Sequence, residues 1–467
     1  MIIIDILIIL ISYFIPWCSG YLLLSLLDRK NILAFGYKFF SAFLLGGGIL
    51  TYEMFLIGVL GQKEVLSNFL ALNLFNLIFL ESLLYFLRKK IIYFSIVQIR
   101  GKLSKIWMSF QQMEKLDKIL ASILLLSILF RVGMGVWQIS ISPSYDFDTW
   151  NNWNLRAKVI FMEQKIPLDK ETGFFLGGGI RSYPMNNVLW KVWTASMLGK
   201  WDDQKINSFS VVFYLILLGL FYNSFTIHFN RRFKILGTYL LSGIPFLFFH
   251  SWVSYADLQV SVYLFFTAAA LINFLNTKKD TYLHLSALGL FFTLWTKNEG
   301  LVLASSSLLL FGLIALITKA WKIRDFIIFW LAAGLISLPW LAFRSANNLG
   351  ALSGDDSAFK FVFNQNFFND WFSKIFWQSH FNFIWWLAFF VLLFKFRLIV
   401  KNFKLKYLFL FLMILFAVYN SVFLFTDQSW GMNALPRSML HLIPLAMFAL
   451  IEFLAVYFSA IYLKPKN

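Results

Sequence analysis

Long apolar stretches separated by short polar turns repeat along almost the whole chain. Most of these stretches are roughly 18 to 25 residues long, enough for a helix to cross a bilayer. Because lipid cannot satisfy exposed backbone groups, the crossing segments should be helices. The pattern predicts an all-α, polytopic transmembrane helical bundle with about 13 spans. The predicted spans lie near 2–26, 38–60, 65–87, 119–138, 206–227, 235–252, 255–275, 282–297, 300–318, 326–343, 384–399, 407–426 and 438–461.

The composition agrees with a membrane protein, since 60% of the 467 residues are hydrophobic and 14% are charged. Soluble domains carry about 25% charged residues. The formal net charge is +18, which in a soluble protein would favour a nucleic-acid partner. In membrane proteins, basic residues instead gather in cytoplasmic loops. We therefore expect membrane lipids and no nucleic acid as partners.

The basic residues also predict an orientation. With the N-terminus outside, the basic segment 88–118 is cytoplasmic, whereas the long polar segments 139–205 and 344–383 are extracytoplasmic. This arrangement follows the positive-inside rule. The first span has no basic residue before it and is followed by Arg29 and Lys30, which is typical of an uncleaved anchor.

Two regions are expected in this multi-pass protein of the cell (inner or plasma) membrane. Residues 1–118 form an N-terminal three-span region plus the basic cytoplasmic loop, and residues 119–467 form the core with both extracytoplasmic loops. The sequence LGGGI occurs at 45–49, inside a span, and again at 176–180. The first copy is expected to help helices pack, and the second to form a flexible loop.

Segment 139–205 is amphipathic rather than uniformly polar. Apolar residues at helical spacing predict two helices in the membrane interface, where Trp is favoured. The first helix has Trp150, Trp153, Ala157, Ile160 and Phe161, and the second has Leu189, Trp193 and Met197.

Two aspartates stand at the start of the first amphipathic helix. Asp148 is well placed as its N-cap, and Asp148, Asn152 and Arg156 follow at i, i+4 and i+8, which predicts one stripe. If the chain is extended before the helix, Asp146 and Asp148 face one way. The pair could hold a divalent cation, or one carboxylate could act as a base while the other orients. A helix cap beside a solvated charge explains the spacing equally well.

Further ionisable residues stand where spans begin or end. Asp257 lies at the outer entrance of one span, and Lys297 and Glu299 lie in the turn between two others. Ionisable groups at membrane depth are costly and become functional candidates. Near the interface the cost is smaller, and a lysine there can snorkel to the headgroups.

Arginines stand at two other span ends. Arg344 ends one span, and Arg437 and His441 stand at i and i+4 at the start of the last. The planar guanidinium suits phosphate, so the arginines could bind a lipid phosphate or simply anchor the helices to headgroups. The five histidines are scattered without an H-x-x-x-H pair, so zinc is not expected.

Several short motifs follow one another along the part of the chain from about residue 119 to the C-terminus. They are Asp148 to Lys158 (DTWNNWNLRAK), Tyr183-Pro184, Tyr255 to Leu258 (YADL), Trp295 to Gly300 (WTKNEG), Pro339-Trp340 to Arg344, and Arg437 to Pro444. In these motifs the chain resembles the GT-C superfamily of integral-membrane glycosyltransferases, closest to the bacterial dolichyl-phosphate-mannose-protein mannosyltransferase-like group. One departure is visible, because the resemblance leads us to expect H-P-D-Y-P where the chain has GIRSYP, with Ser182 in place of the acid.

The resemblance implies a polyprenyl-phosphate sugar donor, inverting transfer and a catalytic aspartate in the outer loop. Asp148 is the first candidate for the base and Asp146 the second, while any metal stays open. Cations must stabilise the leaving phosphate. The expected donor and substrate residues are Arg344, Arg437, Lys297, Glu299, Asp257, Asn152, Arg156, Tyr183 and His441.

Other functions fit part of the pattern. A transporter or flippase of a polar or lipid-linked substrate would place ionisable residues near mid-membrane and often shows an internal repeat. A polymerase or ligase acting on lipid-linked oligosaccharides would share the expected site. The sequence leaves open the sugar, the linkage and whether the acceptor is a glycan, a lipid or a protein.

Overall fold

The computed structural model describes residues 2–61, 66–88, 110–142, 144–225, 229–350, 360–426 and 434–462, together with single positions at 104 and 108. Within these ranges the chain is helical and forms no strand, apart from one isolated antiparallel bridge between Phe361 and Thr426. The predicted all-α class is therefore confirmed. Most of the predicted loop 88–118, and residues 351–359 of the second outer loop, lie outside the described residues.

The helices follow the apolar stretches of the sequence. In chain order they are α1 (Ile2–Leu27), α2 (Phe35–Val59), α3 (Leu66–Arg88), α4 (Lys115–Ile141), α5 (Asn154–Glu163), α6 (Asn186–Leu198), α7 (Asp203–Ile206), α8 (Ser208–Ser224), α9 (Arg231–Ser242), α10 (Pro245–Phe249), α11 (Asp257–Thr277), α12 (Asp280–Leu294), α13 (Ser305–Ile317), α14 (Ile323–Ala346), α15 (Phe367–Phe372), α16 (Ile384–Lys401), α17 (Phe403–Phe425), α18 (Ala434–Leu440) and α19 (Ile443–Tyr462). Wider π-helical turns occupy Thr149–Trp153, Gly300–Ala304 and Ser373–Trp377.

Ten helical segments in the described ranges are long and apolar enough to cross a membrane. They contain α1 to α4, α8, α11, α13, α14, α17 and α19. The other three predicted spans differ, because 235–252 is broken into α9 and α10, and α16 carries three basic residues. Helix α12 has 15 residues and rises about 22 Å, which is less than the hydrocarbon core of about 30 Å.

Helix α11 forms the centre of the bundle. It is buried along its whole apolar length and packs against α8, α12, α17 and α19, as expected for a helix that is hydrophobic on all sides. Lys278 adopts a left-handed conformation in the short turn after α11, and α12 then packs back along it. The turn after α12 thereby returns to the level of Asp257, the first residue of α11.

Glycines allow α1 and α2 to pack closely. A Cβ atom on Gly20 would lie 2.0 Å from the backbone oxygen of Ala42, and one on Gly46 would lie 1.8 Å from that of Pro16. Gly47 similarly faces the ring of Trp190 in α6. The packing role predicted for the first LGGGI segment agrees with these contacts. Since α2 contacts α6 and α8, the three-span region shares its core with the rest of the bundle.

Helix α6, which was predicted to lie in the membrane interface, is buried inside the protein. Leu189 and Trp193 are fully buried, and α6 packs against α1, α2 and α5. Its polar atoms are paired inside the protein: the Trp193 indole donates to the Ser12 carbonyl at 2.7 Å, and the Lys191 ammonium donates to the Ser254 carbonyl at 2.9 Å. The Leu–Trp–Met spacing therefore marks a buried helix, because both of its faces have protein partners.

Candidate active site

Charged residues from separate segments meet at one end of the bundle, around the carboxylate of Asp257. Asp257 Oδ1 accepts a hydrogen bond from Lys297 Nζ at 2.8 Å and lies 3.3 Å from His441 Nε2. Its Oδ2 accepts from Arg437 Nη2 at 2.9 Å and from Arg437 Nε at 3.3 Å. Asp257 has no exposed side-chain surface, and it holds two cations and a histidine in place.

The two cations each bind a second carboxylate. Arg437 Nη1 donates to Asp148 Oδ2 at 2.6 Å, and Lys297 Nζ lies 2.6 Å from Glu299 Oε1. The result is a row of alternating charges, Asp148–Arg437–Asp257–Lys297–Glu299, which we call the charge ladder. Its three carboxylates and two cations leave a net charge of −1.

Burial differs along the charge ladder. The side chain of Asp257 is 0% exposed and that of Lys297 is 3% exposed, against 19% for Glu299, 24% for Arg437 and 30% for Asp148. Burial alone would lower the pKa of Arg437, but the negative charges of Asp257 and Asp148 outweigh it and hold that pKa above its usual value. Arg437 therefore stays charged, and Asp148 is the carboxylate most accessible from solvent.

Asp148 is not the helix cap that its position predicts. Its backbone is helical, with φ −68° and ψ −24°, and its side chain makes no capping hydrogen bond. The backbone oxygen of Asp146 instead accepts from the Thr149 amide at 2.9 Å. The π-helical turn begins directly after Asp148, whose carboxylate is left to pair with Arg437. The capping prediction is wrong, because the Asp148 backbone is already helical and its carboxylate pairs with Arg437.

A divalent cation on the Asp146–Asp148 pair stays a prediction. Burial, followed by the charge of Asp148, raises the pKa of Asp146. Asp148 already binds Arg437. Among the described residues no cluster of three or more His, Cys, Asp or Glu side chains could hold a metal.

Asn152 and Arg156 stabilise the neighbouring loop. Asn152 Oδ1 accepts from the Ile180 amide at 2.9 Å. Arg156, which is fully buried, donates to the carbonyls of Leu176 and Tyr183 at 3.2 and 3.1 Å. Burial lowers the pKa of Arg156 to about 9. The predicted stripe with Asp148 is interrupted by the π-helical turn, and the contacts of both residues point to the loop.

The second LGGGI segment is a packed turn rather than the expected flexible loop. Gly177, Gly178 and Gly179 all have positive φ angles, which favour glycine. A Cβ atom on Gly177 would lie 2.6 Å from the Arg156 carbonyl oxygen. The glycines therefore permit both the turn and its close approach to α5.

Tyr183 and Arg344 flank the charge ladder. The Tyr183 ring stacks on Trp153 at 5.3 Å, and Lys297 Nζ lies 5.7 Å from the Tyr183 ring centroid. Arg344 donates from Nη1 to Asn298 Oδ1 at 2.9 Å, and from its other nitrogens to the Leu349 and Gly350 carbonyls. Arg344 therefore meets the site through Asn298, the residue between Lys297 and Glu299.

Sequence reasoning gave no role to three residues that belong to this site. Asn298 links Arg344 to Ser182, donating to Ser182 Oγ at 3.3 Å. Ser182 is the residue that stands in place of the expected acid. The Arg437 guanidinium lies 4.6 Å from the Tyr255 ring centroid, within the range of a cation–π contact. Asn298 and Tyr255 could have been found from the sequence, because each lies in a motif beside a residue that was assigned a role.

The fold and the site define a class: a multi-pass α-helical membrane protein with a partly accessible cluster of charged residues at one end of its bundle. No protein-family model, curated protein or solved structure matches the chain. The resemblance to the GT-C superfamily accordingly stays an expectation.

Proposed function

We propose that the chain is a glycosyltransferase that moves a sugar from a polyprenyl-phosphate donor to a glycan, lipid or protein acceptor of the cell envelope. Transfer takes place at the outer face of the cell membrane with inversion at the sugar. One observation carries the proposal: Asp148, the most exposed carboxylate of the charge ladder, is bound to an arginine that is itself anchored on a buried aspartate.

Asp148 is the general base of the proposed reaction. A base must reach the acceptor hydroxyl, and Asp148 has the most accessible carboxylate of the charge ladder. Asp257 is unsuited because it is buried and already binds Lys297, Arg437 and His441. Asp148 takes the hydroxyl proton while the acceptor oxygen bonds to the anomeric carbon. The bond from that carbon to the polyprenyl phosphate breaks, and its electron pair leaves with the phosphate.

Donor binding and base activation are coupled through Arg437. The charge ladder has a net charge of −1, so an incoming phosphate must replace a carboxylate rather than add to the row. Asp148 is the one to replace, since it is partly exposed and shares Arg437 with the buried Asp257. When the phosphate replaces Asp148 on Arg437, the Asp148 carboxylate is released and can accept a proton.

The polyprenyl chain of the donor lies against α14. Leu331, Leu335 and Leu338 are exposed on this helix at a spacing that places them on one face. Arg344 lies near the end of this helix on its opposite, buried face, so the phosphate of a lipid on the leucine face must pass around the helix end to reach Arg344 and Asn298. Arg344 and Lys297 complete the positive charge around the leaving phosphate.

Comparison of cells with and without the protein tests this function. Mass spectrometry of envelope glycans and polyprenyl-phosphate sugars should show the glycan product lost and the donor accumulated, both without the protein and with Asp148→Asn. A polymerase or ligase would instead change the length or attachment of a preformed glycan. Unchanged glycans and donor pools in the deletion would exclude the proposal.

The transporter alternative is tested in liposomes. Purified protein is given a lipid-linked sugar donor and an acceptor in the same outer compartment. A glycosyltransferase consumes the donor there, whereas a flippase moves the donor between leaflets and leaves it intact. Leaflet exchange without product would favour the transporter.

A further inference from the structure

A basic groove lies between α16 and α19, far from the charge ladder. It is lined by Phe394, Lys395, Arg397, Leu398, Tyr457 and Ile461, among others. Tyr457 is about 21 Å along α19 from Ile443, at 1.5 Å per residue. Because Arg437 and His441 directly precede α19, the groove lies near the opposite end of the bundle.

A break in α16 brings the two cations of the groove together. In a regular helix, residues at i and i+2 do not share a face, so Lys395 and Arg397 would diverge. Lys395 has φ −122° and ψ 19°, outside helical values, and this change of direction lets both residues line the groove. Lys395 Nζ lies 4.9 Å from the Tyr457 ring centroid.

The groove combines unneutralised positive charge with apolar surface. In the described part of the chain no ion pair joins Lys395 or Arg397 to a carboxylate, whereas the neighbouring Lys404 is 2.6 Å from Glu452. Phe394 and Ile461 are exposed beside the cations. A soluble anion would use only the charges, but a lipid would use both the charges and the apolar wall.

We infer that this groove binds the headgroup of an anionic phospholipid from the surrounding bilayer. Lys395 and Arg397 contact its phosphate, and the acyl chains lie against Phe394 and Ile461. The site is separate from the proposed donor site, from which it is divided by the length of α19. Its occupancy would fix the contact between α16 and α19 at this surface.

Native mass spectrometry of the full-length protein in detergent tests the inference, with phosphatidylglycerol and phosphatidylcholine as probes. The wild type should bind phosphatidylglycerol more tightly than phosphatidylcholine. A basic residue at an anionic lipid surface contributes about fivefold in affinity, so Lys395→Gln with Arg397→Gln should weaken phosphatidylglycerol binding about thirtyfold. Lys401→Gln with Lys406→Gln removes the same charge outside the groove and should change binding little.

Four results would overturn the inference. Equal affinity for the two phospholipids would show that the groove does not select an anionic headgroup. An equal loss of phosphatidylglycerol affinity in the control variant would show general electrostatic attraction rather than binding in the groove. Tighter binding of a polyprenyl phosphate than of phosphatidylglycerol, lost in the groove variant, would assign the groove to the carrier lipid. Displacement of phosphatidylglycerol by inorganic phosphate alone would indicate an anion site without a lipid component. A melting curve for each variant checks that it is folded, and Lys395→Met with Arg397→Met supplies a second variant if the first is not.

Discussion

Replacing Asp257 with asparagine is the most direct test of the charge ladder. The change keeps the shape of the side chain but removes the negative charge that Lys297 and Arg437 share. Both cations are then left facing an amide, at a position with no exposed side-chain surface. The amide nitrogen also places a donor where the carboxylate accepted hydrogen bonds.

The expected cost follows from burial. Removing one partner of a buried ion pair costs about 3–5 kcal/mol when the remaining charge is left uncompensated. Because Lys297 keeps Glu299 and Arg437 keeps Asp148, we expect a cost near the lower end, about 3 kcal/mol. Lys297→Met alone removes charge-assisted hydrogen bonds and should cost about 1.5–3 kcal/mol. In the double variant one positive and one negative charge disappear together. The double variant should therefore lose at least about 1 kcal/mol less than the sum of the two single changes, as interacting residues do.

Unfolding of the purified protein in mixed micelles with increasing SDS measures these free energies. Asp117→Asn is the control, because Asp117 lies 2.8 Å from Arg232, whose side chain is largely exposed, and such pairs contribute about 0–1 kcal/mol. If the Asp257 and Lys297 changes are additive, or if Asp257→Asn costs no more than the control, the charge ladder is not a coupled unit.

Other predictions concern the reaction and the topology. Asp148→Asn should lower transfer about 10²–10⁴-fold, as loss of a general base does, whereas Asp146→Asn should lower it less. A fully active Asp148→Asn enzyme would end that assignment. Because burial and then the charge of Asp148 raise the pKa of Asp146, the folded state binds an extra proton and loses stability as pH rises from the unfolded to the folded pKa. Asp146→Asn should therefore raise the melting temperature at neutral pH and have little effect in acid, and an equal effect at both would refute this. Arg437→Lys keeps the charge but loses two of the guanidinium contacts, each worth about 1.5–3 kcal/mol, so kcat/KM should fall at least about a hundredfold with normal expression. Unchanged kcat/KM would remove Arg437 from the reaction. In a cysteine-free background, a cysteine at 170 should react with an impermeant reagent from outside and one at 100 should not, and the reverse would place the site in the wrong compartment.

The helical fold was largely predictable, because long apolar stretches are visible in any sequence. Three predicted spans are not among the long apolar helices of the structure, and they show that length and hydropathy alone do not identify a spanning helix. Segment 235–252 contains Gly243 and Pro245, and the structure ends α9 and begins α10 there. Gly243 and Pro245 indicate a helix break, which the mean hydropathy of the segment does not reveal. Helix α6 was misplaced for another reason, since its amphipathic spacing cannot distinguish lipid headgroups from protein partners.

The candidate site was predictable in its residue types and not in its pairings. Asp148, Asp257, Lys297 and Arg437 stood out because charge is costly near a membrane. Their contacts depend on how α11, α12 and α18 meet in space, which no local spacing reveals. The stripe predicted for Asp148, Asn152 and Arg156 also failed, because the π-helical turn changes the helical register. The Asn152 side chain binds the neighbouring loop instead.

The roles of the two central cations follow from their geometry. Lys297 is a point charge, nearly buried, with Asp257 and Glu299 as partners. The planar guanidinium of Arg437 contacts two carboxylates. Its Nε and Nη2 donate to the buried Asp257, and its Nη1 donates to the more accessible Asp148. Arg437 can thus exchange Asp148 for a phosphate while remaining fixed by Asp257. A lysine at this position could not make both sets of directed contacts. In the proposed reaction, Asp257 therefore positions Arg437, and Arg437 decides whether Asp148 is bound or free to act.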